Sequence, residues 1–490
     1  MGIDLPEMDQ GNTTGALMSV RKSWLRDPSG ALPGMLALVC VAALFAAAEF
    51  GYVVSRRGLS WDEIVYISQV NRFAYAAPFV AARARGISLL VAPVTLLTKS
   101  LFALRAYLAI ASALALLGGL WTWRRTMPSR VLAIAGLLFG SLWVVQYYGP
   151  RAMPDMWVAM SGLASVGFFV KAARTGQKRH LAGLAVCLGV AALMRPSDAV
   201  FMAVPLLAVA TLVRGWRSWA LVVSLTAGLV AGGIEWVVEA YVRWGGILKR
   251  LQYAVATQGG AGLHAGAWDE LRALDGPVIC RRDCHIGWSD PRLSIWWLAL
   301  PVLVAIGLVA ARRAGRLGPA LLATVVGVFL SLQYLILLNY AAPRFLIPMY
   351  ALLSLPVAEA VYWTLARSRT ASRVAAAAIV LALFVVQVVS QHSVLQHNVA
   401  LADNHEYRIA SDLARAGVRP PCVIEGYQYI PLAYFAGCRS ATSVRAATAQ
   451  PHTVIAFVGA QGSGTPSYAR QWMTVRLART GLVAHIRLPR

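Results

Sequence analysis

The chain has 490 residues, of which 58% are hydrophobic and only 13% charged, and its mean hydropathy is +0.60. Soluble domains carry about 25% charged residues, so this composition argues against a water-soluble globular protein. The net charge of +24 would point to nucleic acid in a soluble chain. Here the basic residues gather in short loops between apolar runs, which is the positive-inside pattern of membrane proteins, and no nucleic-acid partner is expected.

The first 30 residues are polar. The apolar run that follows lacks a small-residue cleavage site leading into a soluble chain, so it reads as a retained first helix rather than a signal peptide. Apolar runs of about 20 residues recur along the chain. They predict an α-helical polytopic membrane protein with about eleven spanning helices, at 32–54, 101–123, 131–149, 154–173, 180–194, 197–213, 218–242, 293–311, 318–340, 344–366 and 374–392. The loops RRTMPSR (124–130), KAARTGQKRH (171–180), RGWR (214–217), RRAGR (312–316) and RSRTASR (367–373) together hold 15 Lys or Arg and no Asp or Glu. This asymmetry predicts a cytoplasmic N-terminal tail (1–31), a transmembrane domain (32–392) and an extracytoplasmic C-terminal domain (393–490), in a multi-pass protein of the inner or plasma membrane.

The segments between the basic loops then face outward. In the first, 55–100, the stretch DEIVYISQVNRFAYAAPFVAARA has helical apolar spacing and is expected to lie on the membrane surface. GISLLVAPVTLL is apolar, too short to span and contains Pro93, so it is expected to be re-entrant or interfacial. The other long outer loop is 243–292. In the tail, EYRIASDLARAG reads as an amphipathic helix with Gly417 as its C-cap. PCVIEG, TVIAFVG and LVAHIRL read as buried strands, which predicts a small α/β domain.

Six cysteines are present. Cys40 and Cys187 fall inside helices and read as core residues. Cys280 and Cys284 share one outer segment, and Cys422 and Cys438 share another, which reads as two local disulfides on an oxidising face. CRRDCH, with His285, is the alternative as a metal site, but its spacing is not a standard zinc pattern and no fourth ligand is evident. GAQGSG (459–464) lacks the Lys of a P-loop and the spacing of a dinucleotide fingerprint, and reads as a turn-rich loop.

Charged groups near membrane depth are costly and mark function. Here they converge on the predicted outer side. Asp62 and Glu63 stand together in RRGLSWDEIVY, just past the first span. Arg151 and Asp155 lie in YYGPRAMPDMW, Arg195 and Asp198 in LMRPSDAV, and Arg344 in NYAAPRFLIPMY. Glu235 and Glu239 are four residues apart on one helix face, followed by Arg243. Each has a plainer reading: Asp155 and Asp198 as helix caps, Arg243 as a snorkelling side chain, and Asp62–Glu63 as acids at a helix start. Convergence favours chemistry. Arginine grips a phosphate bidentately and keeps its charge, and a nearby carboxylate can deprotonate an acceptor hydroxyl.

These motifs resemble the GT-C glycosyltransferases, integral membrane enzymes that use polyprenyl-phosphate sugars, in the branches that transfer mannose or aminoarabinose. SWDEIVY is similar to their acidic motif in the first outer loop. GPRAMPD and LMRP resemble further outer-turn motifs, APRFLIPMY resembles an Arg-Phe-x-x-Pro start of a late helix, and EAYVRWGG resembles an acidic-aromatic-Gly stretch after helix seven. The likeness spans about residues 32–366. It implies Asp62 as catalytic base with Glu63 supporting it, and Asp155 as a second acid that positions acceptor or base. It implies Arg195 and Arg344, then Arg151, as donor-phosphate contacts, with Glu239 and Tyr66 in the substrate-binding set. It further implies direct displacement with inversion at the anomeric carbon, membrane lipid and a polyprenyl-phosphate-linked sugar as partners, and no obligatory cofactor or metal.

Two other functions fit a membrane protein of this kind. A transporter or flippase for lipid-linked sugars would place polar sites at the midplane on broken helices, often with internal repeats. The charges here gather at helix ends, and no clear repeat is present. A non-catalytic envelope assembly protein that keeps the fold would tolerate loss of Asp62.

Overall fold

A computed structural model describes residues 31–55, 58–260, 262–280, 287–367, 370–401, 405–441, 453–462, 464–477 and 480–489. The tail 1–30, Cys284 and His285 lie outside the described residues. The helices are α1 (Ala31–Glu49), α2 (Trp61–Ser68), α3 (Gly86–Thr95), α4 (Leu101–Trp121), α5 (Ser129–Gly140), α6 (Trp143–Tyr148), α7 (Asp155–Thr175), α8 (Lys178–Met194), α9 (Pro196–Leu212), α10 (Trp219–Trp244), α11 (Ile247–Thr257), α12 (Gly266–Arg272), α13 (Pro291–Arg313), α14 (Leu317–Leu332), α15 (Ile347–Arg367), α16 (Thr370–Leu401), α17 (His405–Arg415) and α18 (Tyr429–Ala436). Turns of π-helix extend α1 through Phe50–Val54 and α14 through Gln333–Leu337, and a 3₁₀ turn, Pro343–Leu346, leads into α15.

Eight helices among the described residues are long and apolar enough to cross a membrane. Three of the eleven expected spans fall on shorter helices. Those at 180–194 and 197–213 correspond to α8 and α9, 17 residues each, or about 25 Å at 1.5 Å per residue. The third, expected at 131–149, is broken into α5 and α6 at Ser141–Leu142. Side chains satisfy the backbone groups freed by this break. Gln146 Nε2 donates to the Gly140 carbonyl at 3.0 Å, and the Trp143 amide donates to Gln391 Oε1 at 2.8 Å. Irregular backbone at membrane depth is tolerated when it is paired and buried in this way. At the other end, α16 runs on to Leu401, past the expected domain boundary at 392.

The surface helix expected over the first loop extends only through Ser68, and 69–85 is irregular. Local side chains stop it: Gln69 Nε2 donates to the carbonyls of Val65 and Ala77, and Asn71 Oδ1 accepts from the Phe73 amide. Asn is a strong competitor for its own backbone and favours turns. The chain re-enters helix at Gly86, where a Cβ would lie 2.5 Å from the Leu193 carbonyl oxygen. The absence of a side chain lets α3 approach the end of α8.

The C-terminal region is a five-stranded sheet in the order β2 (Arg439–Ser440), β1 (Cys422–Gly426), β3 (Val454–Ala460), β5 (Leu482–Arg487), β4 (Met473–Arg476). β1 pairs in parallel with β2 and β3, and β5 is antiparallel to β3 and β4. The alternating apolar residues Ile424, Ala456, Val458, Ala484 and Ile486 form its core with Ile409 and Leu413 of α17 and Leu432 of α18. Cys422 and Cys438 are disulfide-bonded, tying the start of β1 to the end of α18. Helix α18 also docks on the membrane domain. Trp61 meets Tyr429 edge-on with centroids 5.0 Å apart, Asn71 Nδ2 donates to the Tyr434 hydroxyl at 2.8 Å, and Arg439 lies 5.0 Å above the Tyr75 ring.

Candidate functional site

Short helix α2 carries both acids of the SWDE motif. Ser60 caps it: its hydroxyl accepts from the Glu63 amide, and Glu63 Oε2 accepts from the Ser60 amide, which forms a capping box. That geometry turns Glu63 inward. Arg105, from inside the apolar α4, donates Nη1 to Glu63 Oε1 at 2.5 Å and Nη2 to Oε2 at 3.0 Å. Arg151 Nη1 adds a bond at 3.3 Å, and the Ala152 amide another at 3.1 Å. Burial pushes the Glu63 carboxyl upward, but the two arginines outweigh it and hold it at about 2. Arg105 also donates to the carbonyls of Gly58 and Pro150, so one guanidinium joins both loops that flank the site.

Asp62, one residue earlier, points elsewhere, and its side chain is 30% exposed. Arg83 Nη2 lies 2.5 Å from Oδ1, and Arg344 Nη2 lies 3.3 Å from Oδ2. The ladder continues. Asp155, fully buried in the first turn of α7, takes Arg195 Nη2 at 2.9 Å. Its other oxygen, Oδ2, faces Arg344 Nε at 3.8 Å, and neither atom has a hydrogen-bond partner. A gap of that length is not a hydrogen bond, and it leaves a buried donor and a buried acceptor open. Arg195 Nη1 reaches Asp198 Oδ2 at 3.3 Å and the Tyr334 hydroxyl at 3.1 Å. Asp198 Oδ1 accepts in turn from Tyr334 and from Gln333 Nε2. Tyr334 and Gln333 lie in the π-turn that ends α14, a distortion common at functional sites. Phe345 stacks on Tyr334 at 4.5 Å and lies beneath the guanidiniums of Arg195 and Arg344.

The structure thus brings Asp62, Asp155, Arg195 and Arg344 into one cluster. Glu63 and Arg151 form a buried layer beside it, with Arg151 stacked 3.8 Å from the Tyr147 ring. Tyr66 is buried under Arg83, whose guanidinium is 5.2 Å from its ring. Glu239 is set apart from the cluster. Its carboxylate is taken by Arg85 at 2.6 Å, Arg243 at 2.9 Å and Arg250 at 2.9 Å, which occupy it with protein rather than ligand. Fully buried Arg250 also donates to the carbonyls of Ala81, Arg83 and Trp236, so this knot fixes the segment that presents Arg83. Cys280 is disulfide-bonded; Cys284 lies outside the described residues. Among the described residues, no group of three or more His, Cys, Asp or Glu is placed to hold a metal.

Sequence reasoning missed Arg83, Arg105, Arg250 and Tyr334. Arg105 had a signal, since a lone charge within an apolar run demands a partner. Arg83 and Arg250 looked like ordinary interfacial basic residues, and Tyr334 looked like part of a span.

Five arginines (83, 105, 151, 195 and 344) face four carboxylates (62, 63, 155 and 198). The excess positive charge, mostly buried, suits one anionic group.

Membrane helices joined to a small α/β domain give a fold shared with solved structures of ArnT and of an archaeal oligosaccharyltransferase. The chain is similar to ArnT from Cupriavidus metallidurans bound to undecaprenyl phosphate, with a TM-score of 0.63 and 14% identity over 91% of this chain and 97% of that one. The same protein in its apo state gives 0.60 at 16% identity, covering 93% and 98%. The archaeal oligosaccharyltransferase AglB from Archaeoglobus fulgidus, in complex with an inhibitory peptide and a dolichol-phosphate, gives 0.52 at 14% identity over 83% of this chain and 64% of that one. No family model and no curated protein sequence matches the chain.

Proposed function

We propose that this protein is a glycosyltransferase that moves a sugar from a polyprenyl-phosphate donor to an acceptor hydroxyl at the outer face of the membrane. The observation that carries the reading is the ladder Arg83–Asp62–Arg344–Asp155–Arg195, with its open rung between Arg344 Nε and Asp155 Oδ2. Solved structures of the same fold hold undecaprenyl phosphate and dolichol-phosphate, which supports a lipid-phosphate donor.

In this reading the arginines rest on carboxylates until a phosphate displaces them. The donor phosphodiester takes Arg344 and Arg195, and Asp62 loses a positive partner. It then serves as general base. The acceptor oxygen forms its bond to the anomeric carbon as its proton passes to Asp62. The bond from that carbon to the phosphate oxygen breaks, and its electron pair leaves with the polyprenyl phosphate, which the guanidiniums stabilise. Attack opposite the leaving group inverts the centre. Asp155 orients Arg195 and Arg344. Glu63 and Arg151 hold α2 in place, and Glu239 holds Arg83 through Arg250.

The test is transfer by purified full-length protein in lipid, given a panel of labelled polyprenyl-phosphate sugars and envelope acceptor, beside Asp62→Asn. Transfer by wild type that drops about 10²-fold or more in the variant is expected. Near-normal turnover by Asp62→Asn would reject the base. Absence of transfer with every donor, together with export of lipid-linked sugar across vesicles, would replace the enzyme by a transporter.

A further inference from the structure

Helix α12 lies in the loop 243–292 and packs against the strand-like segment that precedes Arg344. Backbone bonds on either side of α12 hold the loop there: before it, the His264 amide to the Ile336 carbonyl of the π-turn at 2.7 Å, and after it, a reciprocal pair between Cys280 and Ala341 at 2.9 and 3.0 Å. Within this lacing sits one carboxyl that the proposed reaction does not use. Glu270 is 1% exposed. Its Oε1 accepts from the Ala342 amide at 2.8 Å, two residues before Arg344. Its Oε2 is buried and has no hydrogen-bond partner.

We infer that Glu270 is a positioning residue for the phosphate grip: it fixes the turn that presents Arg344, and its charge state sets how much of the Arg344 charge is available to an anionic lipid. The inference rests on the reading of the cluster as a lipid-phosphate site. A carboxyl with one oxygen bonded to an amide and the other bare is half satisfied as an anion, and burial without a second partner favours its neutral form. In keeping with this, burial moves the Glu270 carboxyl up to about 7, against the Ala342 amide and Arg344, which both favour the anion. The other titratable neighbours are Asp269 on the same helix and Tyr350 on α15, whose hydroxyl accepts from Trp297 Nε1 at 3.1 Å. Neither adds a cation, so Arg344 is the positive group that a Glu270 anion meets. Below neutrality Glu270 keeps its anchor without charge. Above it, the new anion attracts Arg344 and opposes an incoming phosphate.

Binding of undecaprenyl phosphate to full-length protein in lipid nanodiscs, compared at pH 6 and pH 8.5 in wild type and Glu270→Gln, tests this. Glutamine keeps an acceptor for the Ala342 amide and cannot ionise. The variant should match wild type at pH 6 and bind about fivefold tighter than wild type at pH 8.5, the scale of one partly screened charge interaction. Comparison within one pH cancels the titration of the lipid itself. An equal ratio of the two affinities at both pH values, with wild-type thermal stability, overturns the role of Glu270 and leaves the phosphate site standing. No binding by wild type at either pH overturns both. If the Gln variant unfolds, Glu270→Asp keeps the charge on a shorter arm. Weakened binding with the wild-type pH trend is then expected, and wild-type affinity would overturn the anchor.

Discussion

Asp62 and Glu63 are neighbours in sequence and opposites in environment. Glu63 is fully buried and engaged by two arginines, two backbone amides and the Ser60 hydroxyl. Asp62 is partly open and held by two arginines from separate segments. One turn of helix decides this. The capping box commits Glu63 to its own helix start and directs it inward, and the preceding position, Asp62, is left facing the cluster. Adjacent carboxylates therefore split into one buried in the frame of the site and one that faces the arginine cluster. The chemical type of the residue did not determine which was which.

The contrast can be broken most severely at the buried side. Replacing Arg105 with Leu leaves Glu63 without its main partner, and should cost about 3–5 kcal/mol, as loss of one member of a buried pair does. Yield of folded protein and its thermal unfolding in detergent would fall together with any activity. Asp62→Asn is the converse. Its unfolding temperature should stay near wild type while transfer drops, and a matching fall in stability would erase the distinction drawn here. Arg344→Lys is a finer probe, because it keeps the charge and loses the fork. Donor KM should rise about tenfold with kcat less affected, since Lys cannot grip a phosphate bidentately. The smallest effect concerns pH. Glu63 is lowered from 4.5 to about 2, so its contribution to stability is complete above pH 4.5 and is lost as pH falls through 2. Glu270 is raised from 4.5 to about 7, so its contribution is complete below pH 4.5 and is lost as pH rises through 7. Unfolding temperatures of Glu270→Gln should therefore gain on wild type across that upper window.

Much of the cluster was legible from the sequence because charges beside prolines at helix ends are few and conspicuous. Asp155, Arg195 and Arg344 announce themselves in this way, Asp62 stands out as half of an acidic pair just past the first span, and the structure gathers all four. The division between Asp62 and Glu63 was also present in the letters: Ser60 followed three positions later by Glu63 has the spacing of a capping box. Other features depend on partners far along the chain. Arg105 closes on Glu63 across 42 positions, and the break between α5 and α6 is stabilised by Gln391, 248 positions from Trp143. Such pairings leave no local pattern. The first loop misled for a different reason. Its apolar spacing continued past Ser68, but Gln69 and Asn71 turned their side chains onto the backbone and ended the helix.

The contact between Trp61 and Tyr429 carries a consequence for how the protein is made. The helix that bears Asp62 leaves the ribosome early, yet its outer flank is completed by α18, which emerges more than 300 residues later. A chain interrupted before the sheet forms would hold every arginine and carboxylate of the cluster and still lack the α18 contact on α2. The outward contact of the helix that bears Asp62 is thus completed only once the C-terminal region has been made.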